Sequence, residues 1–287
     1  MKARYLNPFT DFGFKKLFGE EASKPLLKDF LNSLLPLEYP IADLNFRNAE
    51  QLGAEQEDRR AVYDIYCQDT QGNYFIVEMQ KAYQKFFKDR ALYYTTFPIQ
   101  EQAQRGHWSF ELKSVFCVGI LDFVFDEDKN NPDYLHEVKL KNRHNSVFYD
   151  KYVLYFIEMP KFHKAESELA NQLENWVYFL KHLEEFPDIP SRFQHTVLEQ
   201  AFEIAELAHL SENERAAYEH SLKIYRDNIN TLNSTAEKAK AEGKAEGLIE
   251  GELNRAKKSA IQMKADKMPI SKISEYTGLS EEEIANL

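Results

Sequence analysis

Apolar residues in the first part of the chain recur at helical spacing. Phe14, Leu17 and Phe18 occupy positions i, i+3 and i+4, which predicts a short helix. A second helix is predicted from Pro25 to Leu35, because its leucines and one phenylalanine fall on one side and the proline suits a first turn. Both apolar faces are expected to pack in the core.

A different pattern, typical of strands, begins near residue 61. The runs Ala61–Cys67 and Tyr74–Gln80 are rich in strand-forming residues, and turn-forming residues 69–73 separate them, which predicts a hairpin. The next predicted elements are a helix between Phe86 and Gln104 and two buried strands, Ser114 to Phe123 and Tyr149 to Met159.

From about Ala165 the pattern is helical throughout. Apolar residues form a stripe, and Ser211 with Glu214 has the spacing of a capping box that opens another helix. The members of the stripe are Leu169, Leu173, Trp176, Leu180 and Leu183. These features predict a helical extension, residues 161–233, packed on a core domain of residues 1–160.

The remaining residues, 234–287, are of low complexity before a compact end. Gly243, Gly247 and Gly251 are spaced four apart, so they share one side of a helix where another backbone could approach. We interpret this segment as a helical linker that self-associates into a homo-oligomer. The segment from Met268 to Leu287 resembles a small helix-turn-helix, but its second helix opens with three glutamates, which favours protein contact over DNA contact.

Composition is that of a packed globule, with 43% apolar and 14% aromatic residues. Two cysteines without ligand spacing, and no apolar run of signal-peptide or bilayer length, lead us to expect a cytoplasmic protein and no membrane association. The net charge of −11 counts against a nucleic-acid ligand. However, residues 1–105 carry 14 basic and 15 acidic side chains, so the excess acid lies in the second part.

The hairpin carries an acid on each strand. If it is symmetric about Gln71, Asp64 faces Glu78, and directly opposed residues have Cβ atoms about 5 Å apart. Two carboxylates at that separation repel unless a cation lies between them. Mg²⁺ or Mn²⁺, with the main-chain carbonyl of Met79 as a further ligand, would complete such a site. The competing interpretation is a pair of solvated edge residues.

Four segments together resemble the recombination-promoting nuclease and transposase family within the PD-(D/E)XK superfamily. They are NPFTDFGFKKLFG, RAVYDIYC, TQGNYFIVEMQ and RALYYTTF. The resemblance covers residues 1 to about 160 and implies an α/β, restriction-endonuclease-like fold: a mixed central sheet flanked by helices, here with a helical C-terminal extension. It also implies Mg²⁺-dependent cleavage of DNA, with catalytic roles for Asp64, Glu78 and Gln80.

Gln80 departs from the superfamily pattern, which has a lysine at that position. An amide can orient water but brings no positive charge, so Lys81, Lys85 or Arg90 is expected to supply the cation and contact phosphate. Asp11 is either a third metal-binding acid or a helix cap. Tyr93 and Tyr94, which follow Arg90 in the sequence, are expected to pack in the core and not to stack on substrate.

The leading hypothesis is therefore a DNA endonuclease that hydrolyses phosphodiesters with a metal-activated water, in recombination, transposition or defence. A rival hypothesis, motivated by Gln80 and the acidic balance, is a DNA-binding or assembly protein that keeps the nuclease fold with weak or no activity. A third is an oligomeric partner protein that acts through its tail.

Overall fold

The computed structural model describes residues 3–48, 50–51, 61–103 and 109–287. Gln104, the predicted end of the helix after the hairpin, lies outside these ranges. The strands are β1 Leu44–Phe46, β2 Glu50–Gln51, β3 Ala61–Val62, β4 Ile65–Asp69, β5 Tyr74–Gln80, β6 Val115–Leu121, β7 Leu135–Lys141 and β8 Val147–Glu158. The helices are α1 Asp11–Phe18, α2 Lys24–Leu34, α3 Phe87–Glu101, α4 Gln172–His182, α5 Val197–Ala205, α6 Glu212–Ala265, α7 Ile270–Thr277 and α8 Glu281–Ala285.

Six strands form one mixed sheet in the order β1-β4-β5-β6-β8-β7. The central strands β5, β6 and β8 are parallel, and the outer pairings are antiparallel. This arrangement confirms the predicted α/β fold with a mixed sheet and flanking helices. In the β4–β5 hairpin Ile65 faces Val77 and Gln68 faces Tyr74, which is the register symmetric about Gln71. The predicted pairing is therefore correct.

One continuous strand from Ala61 to Cys67 was predicted, and this is wrong. The chain bends at Asp64, and Val62 instead pairs with Glu50 in a separate two-stranded sheet. Val62 is 57% exposed whereas Tyr63 is buried, so the bend reverses which residues face the core. Most residues of the run favour extended backbone, but Ala61 and Asp64 do not, and the bend falls at Asp64.

The two faces of the sheet are covered unequally. Helices α1, α2, α4 and α5 pack on one face and form a large core with the alternate residues Phe75, Val77 and Met79 of β5. Helix α3 covers the other face, where Tyr74 and Ile76 pack. Because side chains alternate along a strand, Glu78 and Gln80 belong to the α3 face.

All five residues of the stripe predicted after Ala165 are buried, but only Leu173, Trp176 and Leu180 lie on α4, whereas Leu169 precedes that helix and Leu183 follows it. The capping box that opens α6 is also present: Ser211 N–H donates to Glu214 Oε2 (2.9 Å). The edge strand β7 was not predicted, although Val138 and Leu140 alternate with Lys139 and Lys141 as in a strand; both apolar residues are exposed, whereas Leu135 packs against the large core.

The chain divides into two compact units, Met1–Lys223 and Ile224–Leu287, with the division inside α6. In the second unit α7 and α8 pack against the end of α6 through a small core that includes Ala260, Ile273 and Ile284. The three spaced glycines lie within α6, and an added Cβ at any of them would meet no described atom within 4 Å. Within the described ranges, every helix is too short or too polar to cross a bilayer.

Candidate active site

Asp64 and Glu78 meet at one end of the β4–β5 hairpin. The ladder ends at Ile65, and one residue earlier the Asp64 carboxylate accepts the main-chain N–H of Met79 through Oδ2 (2.8 Å). In return, the Asp64 N–H donates to Glu78 Oε1 (3.3 Å). Each acid thus binds the backbone beside the other, which fixes both side chains where the ladder stops.

This arrangement is electrostatically unfavourable for two ionised acids. Glu78 is only 8% exposed, and its burial, followed by the negative charge of Asp64, raises its pKa well above the ordinary range. Burial also raises the pKa of Asp64, and the charge of Asp11 adds to the rise. A buried and a half-buried carboxyl group that both resist ionisation favour either a bound proton or a nearby cation.

Gln80 and Lys81 extend the site along the chain. The Gln80 side chain hydrogen-bonds to Glu78, which opposes the rise in the pKa of that acid. Lys81 is half-buried, and its burial lowers its pKa, while the charges of Asp11 and Asp64 act in the opposite direction. Lys81 is therefore near the acids, as predicted.

Asp11 stands at the start of α1, near the same end of the hairpin. Thr10 caps this helix, because its hydroxyl accepts the N–H of Gly13 (3.0 Å), so capping does not account for Asp11. The Asp11 carboxylate is largely exposed and pairs with Lys15 (3.1 Å). Its negative charge raises the pKa of Asp64, but among the described residues Asp11, Asp64 and Glu78 do not form a group of ligand atoms within 4.8 Å of one another, so metal binding by Asp11 stays a prediction.

Arg90 and Lys85 lie on the α3 side. The positive charge of Arg90 acts on Glu78, and its guanidinium lies over the rings of Phe87 (5.6 Å) and Tyr94 (5.9 Å). Its Nη2 is buried and has no hydrogen-bond partner among the described residues. Lys85 is exposed, with Nζ 5.5 Å from the centre of an adjacent aromatic ring. The structure thus brings Arg90 close to the acids and leaves Lys85 at the surface.

The residues at this site suit a hard divalent cation. Asp64 and Glu78 each give one oxygen to a main-chain N–H, and Glu78 also hydrogen-bonds to the Gln80 side chain. Oxygen donors from carboxylates and carbonyls are the ligands that Mg²⁺ and Mn²⁺ prefer. The negative charges of Asp64 and Glu78 lie close together, which is a further reason for a cation to bind there.

A second acidic cluster, which the sequence analysis missed, joins Asp128, His136 and Glu158. Their ligand atoms lie within 4.8 Å of one another, and it is the one group of three or more such residues in the described ranges. However, Glu158 is already satisfied: Oε1 accepts the N–H of Phe125 (2.6 Å), and Oε2 lies 2.9 Å from His136 Nε2 and 2.5 Å from Lys161 Nζ. The signal was hidden because His136 lies on the unpredicted strand β7.

Comparison with protein families gives one match, to the family described as PD-(D/E)XK nuclease family transposase, over residues 8–235. This range includes both carboxylates of the hairpin, Gln80 and the second acidic cluster. Comparisons with curated proteins and with solved structures give no match.

Proposed function

Because the chain belongs to the PD-(D/E)XK nuclease family of transposases, we propose that it is a divalent-metal-dependent DNA endonuclease. The observation that carries this proposal is the Asp64–Glu78 pair. Glu78 is buried and Asp64 half-buried, each accepts a main-chain N–H at or beside the other, and burial raises the pKa of both. Such a pair suits an enzyme that needs a cation beside a phosphate.

In this proposal Asp64, Glu78 and the main-chain carbonyl of Met79 hold Mg²⁺ or Mn²⁺. The bound ion would activate water and offset negative charge on the phosphate. Gln80, which hydrogen-bonds to Glu78, orients the attacking water through its amide. Water oxygen bonds to phosphorus, one P–O bond of the backbone breaks, and the leaving oxygen takes up a proton.

The phosphate needs positive charge that Gln80 does not bring. Lys81 is the best placed, since it is half-buried near Asp64 and Asp11. Arg90, with one guanidinium nitrogen lacking a described partner, contacts the phosphate next to Glu78. Lys85, at the surface, steers the backbone further along the strand.

The test is cleavage of supercoiled plasmid DNA with Mg²⁺ or Mn²⁺. Asp64→Asn keeps an oxygen for the Met79 N–H but removes the charge, so we expect cleavage to fall at least about 100-fold. The matched control is Asp128→Asn, which removes an acid from the second cluster and should leave cleavage unchanged. Equal cleavage by the intact chain and Asp64→Asn would remove the mechanism.

Gln80 also supports a second candidate function, that of a DNA-binding protein with the nuclease fold and no cleavage. The missing lysine charge is the specific observation in its favour. Titration calorimetry separates the two candidates. Uptake of Mn²⁺ that Glu78→Gln abolishes favours the nuclease, whereas DNA binding without metal uptake favours the binding protein.

A further inference from the structure

Beside the acid pair, the first half of α3 forms one wall of an open cleft of about 720 Å³. Aromatic rings are prominent in its lining: Phe86 is 66% exposed and Tyr93 is 44% exposed, so the core packing expected for Tyr93 from the sequence is wrong. Exposed rings that line one cleft together offer flat apolar faces to a ligand. The volume is in the range of pockets that bind small organic ligands.

The cleft adjoins the proposed catalytic acids. Arg90 and Tyr94 both line it, and both interact electrostatically with Glu78. The Tyr94 carbonyl accepts a hydrogen bond from the Tyr63 hydroxyl (3.0 Å), and Tyr63 immediately precedes Asp64. A group that rests in the cleft would therefore lie next to a phosphate held at Asp64 and Glu78.

The chemistry of the lining fits a nucleobase with its phosphate. Exposed aromatic rings stack on the faces of bases, and Lys85 and Arg90 supply positive charge for the backbone against the single acid Asp89. Bases inside a duplex cover both faces with their neighbours. Only an unpaired base can offer a free face to Phe86 or Tyr93.

We propose that this cleft binds an unpaired base of the strand to be cleaved, so that the preferred substrate is single-stranded or locally unpaired DNA. The inference rests on the proposed nuclease function for the identity of the ligand. It adds a substrate class and two base-stacking residues, Phe86 and Tyr93, that the acid pair alone does not define.

The experiment measures binding without cleavage, using the full chain in EDTA. The probes are a short single strand with 2-aminopurine at its centre and the same strand in a duplex. We expect the single strand to bind about tenfold more tightly than the duplex, and 2-aminopurine fluorescence to fall as the base stacks. Phe86→Ala and Tyr93→Ala should each weaken single-strand binding about tenfold and reduce the quenching.

Three control variants separate stacking from folding. Tyr93→Phe keeps the ring and should bind as the intact chain does. Leu92→Ala removes a half-exposed neighbour on α3 that lines a different cavity, and Tyr39→Ala removes an exposed ring outside the cleft. Both should leave binding unchanged.

Two results would overturn the inference: equal affinity for single strand and duplex, or normal quenching by both Phe86→Ala and Tyr93→Ala. Because binding is read in EDTA, this outcome differs from failure of the nuclease proposal. A chain that stacks the base but never cuts plasmid would keep the cleft as a base site and lose the catalytic role of Asp64.

Discussion

Two acidic clusters lie at the same end of the central sheet, one strand apart, yet their electrostatics are opposite. Gln80 of β5 and Glu158 of β8 both align with Leu121 of β6. Burial and Asp64 raise the pKa of Glu78. Burial also acts against ionisation of Glu158, but Lys161, the Phe125 N–H and His136 outweigh it, so the pKa of Glu158 lies below the ordinary range.

The difference indicates which cluster is expected to bind a cation from solution. Glu158 is fully buried, and the ammonium of Lys161, itself 9% exposed, lies 2.5 Å away and also donates to the Asp128 carbonyl (2.8 Å). That cluster already contains its cation and joins β8 to the loop after β6. Among the residues that the structure describes, the positive charges that act on Asp64 and Glu78 do not keep the pKa of either acid at its ordinary value, so this pair is the better candidate for a metal, although the second cluster has more potential ligands.

The largest effect is expected on stability, from removing the lysine that compensates the acid of the second cluster. Lys161→Met leaves the Glu158 carboxylate buried without its cation, which should lower the free energy of unfolding by roughly 3 kcal/mol at neutral pH. A lowered pKa stabilises the fold above the ordinary pKa of glutamate, and this contribution is lost as pH falls. The deficit should therefore shrink at acidic pH, as measured by urea denaturation.

The matched control is Lys129→Met, which breaks an exposed pair with Asp126. Its effect on the free energy of unfolding should be small at any pH, because solvent screens the exposed pair. A loss of stability by Lys161→Met that is the same at acidic and neutral pH would show that lost packing, and not the charge of Glu158, is responsible.

The next largest effect is expected on metal affinity, which should depend on the first cluster and not on the second. Glu78→Gln removes one of the two proposed carboxylate ligands, and Mn²⁺ affinity should fall on the order of 100-fold by calorimetry. Asp128→Asn changes the second cluster by the same kind of substitution and should leave Mn²⁺ affinity unchanged. The reverse result would assign the metal to Asp128, His136 and Glu158.

Without metal, replacing Glu78 and replacing Glu158 by glutamine should change the free energy of unfolding in opposite directions. The folded state keeps a proton on Glu78 to higher pH than the unfolded state does, so stability falls as pH rises above the ordinary pKa of glutamate. In EDTA at neutral pH, Glu78→Gln should therefore stabilise the protein by about 1–2 kcal/mol, while Glu158→Gln should destabilise it. Thermal unfolding of both variants tests this, and destabilisation by Glu78→Gln would contradict the raised pKa.

The sequence predicted the hairpin register because short-range chemistry determines it. A turn-forming cluster centred on Gln71 and two strand-like runs suffice to place residue 64 opposite residue 78. It did not predict the bend at Asp64, which depends on the side chain accepting the Met79 N–H beyond the last ladder pair. That contact joins residues on different strands and leaves no local pattern.

The second cluster could not be predicted for a related reason. Asp128, His136 and Glu158 come together only once β7 pairs antiparallel with β8. The alternation of apolar and charged residues in β7 covers only Val138 to Lys141 and was not interpreted as a strand. The compensation by Lys161 likewise depends on the turn that follows β8. Long-range pairing, and not composition, separates a structural acid from a candidate metal ligand in this fold.

The smallest effect concerns the missing lysine. If Lys81 supplies the charge that Gln80 lacks, Lys81→Gln should reduce plasmid cleavage about tenfold, while Gln80→Lys in the intact chain should change it less than tenfold. In the Lys81→Gln background, Gln80→Lys should restore most of the activity, because the new ammonium lies beside Glu78. Lys129→Gln, at the surface and outside the cleft, is the control for general loss of charge. If Lys81→Gln leaves plasmid cleavage unchanged while Gln80→Lys raises it strongly, Lys81 does not supply the missing charge. The Asp64–Glu78 site would then differ even more from the second cluster, in which Lys161 already compensates Glu158.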